Sequence, residues 1–157
     1  PAHIAALATR LKAQLAGLDF EPDAIVASFH GMPERTLQLG DPYHCHCQKT
    51  ARLLSEAVGK PLTIAFQSRF GRAKWIEPST EDTIKRLASE GKKKIAIFAP
   101  GFSADCLETL EELAMQGMEQ FEEAGGEHYA YLSCLNDSEP GMEMLETLVR
   151  RELSGWL

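Results

Sequence analysis

Apolar residues along this chain follow two rhythms in alternation. Continuous apolar runs at 24–29, 62–66, 95–99 and 129–135 read as strands buried on both faces, because such strands lose the in-out alternation of a half-exposed one. Between the runs, apolar positions recur at three- and four-residue spacing, the mark of helices that press one face on a core. Ala5, Ala6, Leu11 and Leu15 give the first such stripe. Asp41 and Pro42 read as N-cap and first turn of a helix running to Val58, where Gly59 and Pro61 stop it. Ser79, with Asp82 three residues on, opens a helix that Gly91 closes. Ser103 is expected to cap a long helix with the stripe Leu107, Leu110, Ala114, Gly117, Met118 and Phe121, ended by Gly125 and Gly126. A last helix, 139–153, carries Met142, Leu145, Leu148 and Val149 on one face. Strict alternation of strands and helices implies an open, parallel, four-stranded α/β sheet with helices on both faces.

The alternation is unbroken by linkers, so residues 1–157 are expected to form one domain with its own core. The net charge of −7 argues against a nucleic-acid partner, since the only basic run, Lys92 to Lys94, is short and opens a strand. No apolar stretch nears the ~20 residues of a membrane span and no signal-peptide layout begins the chain, so a cytoplasmic location is expected, with peripheral membrane contact left open. In that setting the four cysteines are expected to be thiols or ligands, not disulfides. The first residue is Pro1, not Met, which leads to the expectation of a fragment or processed form.

In open parallel sheets, ligands bind beyond the carboxyl ends of the strands, which directs attention to the loops there. His30 ends the first strand beside Gly31 and is a candidate base, metal ligand or structural hydrogen-bonder. Asp105, Glu108 and Glu112 stand at spacings of three and four and would form one acidic edge of the long helix. Favourable interaction with the helix dipole accounts for acids in the first turn but not for Glu112, one turn on. Such a line of carboxylates is what a divalent cation or a departing proton would use. Arg69, Arg72, Lys74 and Trp75 form a basic-aromatic loop, either a solvated turn or a platform for a flat anion such as a porphyrin, guanidinium pairing with carboxylate and indole stacking on the ring. His44-Cys45-His46-Cys47 concentrates soft ligands, but on a helix Cys45 and Cys47 stand about 200° apart, so the four cannot easily converge on one ion. Cys134 is expected in the core.

Three stretches in order are more specific. Ser28-Phe29-His30-Gly31-Met32-Pro33 followed by Gly40-Asp41-Pro42-Tyr43, then Phe66-Gln67-Ser68-Arg69-Phe70-Gly71 running to Trp75 and Pro78, then Pro100-Gly101-Phe102-Ser103-Ala104-Asp105-Cys106-Leu107-Glu108-Thr109-Leu110-Glu111-Glu112 resemble the signatures of the ferrochelatases, proteobacterial-like in kind. The resemblance implies half of a fold with two similar Rossmann-like halves, the porphyrin lying between them. It implies insertion of ferrous iron into protoporphyrin IX, with His30 and Glu108 the catalytic pair, His30, Glu108 and Glu112 toward the metal, and Arg69 and Trp75 toward the porphyrin. Iron is then a substrate and no resident cofactor is required. The [2Fe-2S] cluster some members hold on a carboxy-terminal extension is not expected, as no cysteine follows Cys134. The implied partners are protoporphyrin IX, ferrous iron and an amino-terminal half of the same enzyme, this stretch matching the carboxy-terminal one. Two other readings stand beside it: a single-half chelatase that dimerises, and a non-catalytic porphyrin- or metal-binding module.

Overall fold

The computed structural model describes residues 2–156. Four strands, β1 (Ala24–His30), β2 (Thr63–Gln67), β3 (Lys94–Phe98) and β4 (His128–Leu132), pair in parallel in the order β2-β1-β3-β4. The central pair is apolar because both its faces are covered. Helices α1 (Ala2–Ala16), α3 (Tyr43–Val58) and α7 (Glu139–Glu152) cover one face, packing Leu11, Ala51, Leu54 and Met144 on Ile25, Ala27, Phe29 and Phe66. On the other face α4 (Thr80–Ser89) and the helix after β3 bury Ile84, Leu87, Leu113 and Phe121 on Val26, Ala65, Ile95 and Ile97. A short α2 (Glu34–Gln38), which the sequence pattern does not announce, fills the turn between β1 and α3. Its five residues bury none of their side chains, so it leaves no apolar stripe to read.

The helix caps show how far the local chemistry reaches. Ser79 Oγ accepts the Asp82 N–H at 3.1 Å, as the capping pattern requires, an arrangement worth about 1 kcal/mol. Asp41 accepts the Tyr43 N–H at 2.8 Å, with Pro42 at the cap, so α3 begins one residue later than expected.

The helix after β3 departs most from expectation. Ser103 does not cap it. It starts at Leu107, where Thr109 Oγ1 accepts the Cys106 N–H at 2.9 Å, as α5 (Leu107–Thr109). It then widens into a π-helical segment (Leu110–Gln116) before resuming as α6 (Gly117–Glu123). The wider turn breaks the 3.6-residue period. Leu107 is therefore 73% exposed and Leu110 50%, whereas Leu113 and Phe121 are fully buried. The stripe drawn on an α-helical wheel is wrong at Leu107, Leu110 and Met118 for this reason.

Two further boundaries differ. β4 ends at Leu132 and not at 135, because the Cys134 N–H leaves the ladder to donate to Asp105 and Ser133 turns to accept from Arg10 and Gln14. On α7 the face against the core is Gly141, Met144 and Leu148, while Met142, Leu145 and Val149 are exposed. No helix among the described residues is long and apolar enough to cross a membrane.

Candidate functional site

Strand alternation places His30. Val26 and Ser28 point to the face covered by α4 and the π segment, and His30, two residues on, emerges on that face at the carboxyl rim. Its backbone is fixed: the Tyr43 hydroxyl donates to the His30 carbonyl at 2.8 Å, and the imidazole meets the Phe102 ring edge-on at 6.3 Å. Gly31 follows because nothing larger fits. A Cβ there would lie 2.5 Å from the Gln67 carbonyl, which accepts the Gly31 N–H at 2.7 Å.

Glu108 comes from α5 in the opposite wall. Its Oε2 lies 3.6 Å from His30 Nδ1, with the two side chains 45% and 37% exposed. That separation is long for a hydrogen bond. It suits one divalent ion, since bonds of about 2.0–2.2 Å from nitrogen and from oxygen together exceed it. The main chain of Glu108 is held while its carboxylate is left open. Gln67, 2% exposed, donates from Nε2 to the Glu108 carbonyl at 2.8 Å and accepts from Ser28 Oγ at 2.9 Å, and Ser28 in turn contacts Thr80 at 2.7 Å. A buried polar chain thus ties β1, β2 and α4 to the start of the acidic helix.

The expected acidic edge does not form as one line. Asp105 precedes the helix and has both oxygens engaged: Oδ1 accepts from Tyr131 at 2.6 Å, from the Cys134 N–H at 3.2 Å and from Thr109 at 3.2 Å, and Oδ2 from Asn136 at 2.7 Å. Burial alone would raise its carboxyl pKa, but these donors outweigh it and hold the value below the usual carboxylate range. Burial and the Asp105 charge act the other way on the neighbouring thiol, pushing Cys134 up to about 12, so it stays protonated. Glu112 lines the same cleft as Glu108, yet both its oxygens already accept from Ser68, from the N–H at 2.6 Å and from Oγ at 2.7 Å. Ser68 sits in the left-handed region at φ +63, which aims both donors at one carboxylate.

Beside the pair lies an open cleft of about 670 Å³. Arg69, Phe70 and Trp75 line it together with Glu81, Glu108, Glu111 and Glu112, and His30 lies just outside it. Trp75 donates from Nε1 to the Phe70 carbonyl at 3.1 Å and its ring lies 5.1 Å from the Phe70 ring, making an aromatic corner at the rim. Arg69 contacts Asp82 at 3.4 Å and Lys74 contacts Glu34 at 3.0 Å, so part of the loop's positive charge is met within the chain. The structure thus brings His30 and Glu108 together, places Arg69 and Trp75 on the cleft beside them, and ties Glu112 to Ser68. His44, Cys45, His46 and Cys47 lie on α3 as expected, with Cys47 buried and Cys45 exposed. Among the described residues no three His, Cys, Asp or Glu side chains gather as a metal-binding group.

Sequence reading missed Tyr43, Gln67, Ser68 and Phe102 as individual actors. Each works across elements distant in the chain, where no local spacing signals it.

The sequence matches the Ferrochelatase family over residues 1–153. It is 55% identical over 160 residues to the ferrochelatase of Rhizobium meliloti (strain 1021), covering 100% of this chain and 47% of that protein. The ferrochelatase of Agrobacterium fabrum (strain C58) is 54% identical, with 100% and 46% covered, and that of Mesorhizobium japonicum 49%, with 100% and 45%. The chain therefore spans about half the length of the curated relatives it matches. With a match that runs from the first residue through α7, the chain belongs to the ferrochelatase family.

Proposed function

We propose that the full-length protein inserts ferrous iron into protoporphyrin IX. The observation that carries this reading is the His30–Glu108 pair, 3.6 Å apart beside a cleft that Arg69, Phe70 and Trp75 help to line. Insertion forms iron–nitrogen bonds and releases two pyrrole protons, so the site must take water from a divalent ion, hold it briefly and accept protons. A carboxylate and an imidazole facing each other meet those needs with oxygen and nitrogen donors that also bind protons. Glu108 is suited to the ion because its carboxylate, among the described residues, has no other partner than His30. His30 is suited to the proton, its Nδ1 facing the acid and its other ring nitrogen left to serve as base. Arg69 meets a propionate and the Phe70–Trp75 corner supports the macrocycle. Glu111 extends the acidic side of the cleft along which the ion arrives, and Glu112, its oxygens held by Ser68, adds negative charge there. Iron is consumed as substrate, and no resident cofactor enters the scheme. The facing wall comes from sequence beyond this chain, in keeping with the half-length match to the relatives.

The test is loss of porphyrin fluorescence when the full-length protein is given protoporphyrin IX and ferrous iron without oxygen. The reading expects catalytic turnover to protohaem. Stoichiometric porphyrin binding without metal insertion would overturn it in favour of a carrier.

A further inference from the structure

We infer that Tyr129 and Gly117 are positioning residues that hold the π segment in the register that presents Glu108 to His30, an inference that rests on the function proposed above. In an α-helix the Gly117 N–H would bond the Leu113 carbonyl. Here it bonds the Glu112 carbonyl, five residues back, which deprives the Leu113 carbonyl of its helical donor. Tyr129, reaching from β4, supplies the substitute: its hydroxyl donates to the Leu113 carbonyl at 2.5 Å. Leu113 is fully buried, so the phenol takes a place that water does not readily fill. Burial also raises the Tyr129 pKa well above its ordinary value, so the group remains a neutral donor.

Gly117 makes the arrangement possible. A Cβ at this position would lie 2.4 Å from Tyr129 Oη and 3.2 Å from Cζ, so a side chain there would drive the hydroxyl away from the helix. The Tyr129 ring itself is packed 6.0 Å from Phe121 on α6 and has little room to retreat.

The register matters because the segment is tied at both ends. On the cleft side, Gln67 holds the Glu108 carbonyl and Ser68 holds the Glu112 carboxylate. On the core side, Phe121 is fully buried. Removing the one-residue excess would turn the two ends relative to each other by about 100°, one residue's share of an α-turn. Both sets of contacts then cannot be kept, and losing the cleft-side set releases Glu108 from Gln67. Tyr129 touches neither the cleft nor His30 and acts through the main chain of Leu113.

The experiment uses the full-length protein with Tyr129→Phe, Gly117→Ala and the two combined. Amide hydrogen exchange, measured without metal or porphyrin, reads the register, and steady-state insertion of ferrous iron reads its consequence. Tyr129→Phe keeps the ring, so the fold is retained. Exchange over 110–117 is expected to rise about 10-fold while β1 and β3 stay protected. For both single variants kcat should fall about 10- to 100-fold and KM for iron should rise, with KM for porphyrin unchanged, as for a displaced catalytic group. The double variant should be no worse than the worse single one, because the methyl group added by Gly117→Ala then finds no hydroxyl to displace. Unchanged exchange over 110–117 in Tyr129→Phe overturns the inference. So does faster exchange with kcat and KM for iron unaltered, the result of a merely structural role, and so do effects that multiply in the double variant. A wild-type protein that inserts no metal sinks the proposed function and the catalytic half of this inference with it, while the exchange data still decide the register.

Discussion

Asp105 and Glu108 are three residues apart at the same rim, and their surroundings are opposite. Asp105 accepts four hydrogen bonds from Tyr131, Cys134, Thr109 and Asn136, and its own N–H donates to Asn136 at 2.8 Å. Its acceptor capacity is spent on joining the β3 loop to the end of β4. Glu108 has its main chain pinned by Gln67 and its carboxylate left 45% exposed beside His30. A carboxylate whose two oxygens both accept from fixed donors is a joint. One with a fixed backbone and free oxygens is available to an ion or a proton. Sequence spacing makes the two look alike, and only their partners separate them.

The sharpest way to break this contrast is to neutralise each acid in turn. Glu108→Gln in the full-length protein should lower the rate of iron insertion about 10²- to 10⁴-fold, the range for a lost acid–base group, while thermal unfolding shifts little. Insertion that persists at the wild-type rate would make Glu108 as structural as its neighbour. Asp105→Ala should do the reverse. It strands the Tyr131 hydroxyl, the Asn136 amide and the Cys134 N–H, and should cost about 2–4 kcal/mol of stability by chemical denaturation. A variant as stable as the wild type would show those donors to be satisfied by water.

The Asp105 side of the contrast also has a pH signature. Its folded pKa lies below the unfolded value, so its contribution is fully present above the ordinary carboxylate pKa of about 3.9 and is lost as pH falls through the lower folded value. The stability gap between wild type and Asp105→Asn should therefore be flat at neutral pH and narrow below about pH 4. A gap that stays constant down to about pH 2 would contradict a lowered pKa. The smallest effect concerns Glu112, the third acid. Ser68→Ala removes one of its two donors and should cost about 1–2 kcal/mol, with Ser68→Gly milder because glycine accepts φ +63 without strain. Equal losses in the two would show that the left-handed backbone carries no cost.

What was legible in the sequence follows from how local the cause is. The β1 run, the Ser79 cap and the order of alternation depend on neighbours in the chain, and they stand where expected apart from end residues. His30 and Glu108 were legible because each lies in a dense motif at a strand end. The stripe of Leu107, Leu110 and Met118 is misplaced because the π turn shifts the helical period, and the partner of its Leu113 carbonyl, Tyr129, stands on β4 outside the helix. The end of β4 was misplaced because Asp105, 29 positions earlier, takes the Cys134 N–H. On α7 the spacing points to the exposed face, since Met142, Leu145 and Val149 recur as Gly141, Met144 and Leu148 do, and a glycine gives no hydrophobic signal.

In the proposed function His30 and Glu108 act as one unit on the metal. A double-mutant cycle tests it most directly: rates of iron insertion by the full-length protein as wild type, His30→Asn, Glu108→Gln and both. Groups that share one ion or one proton path are strongly non-additive, so the double variant should be about as slow as the slower single one. Losses that multiply would mean that the two side chains, though 3.6 Å apart, do separate work, and would contradict the account.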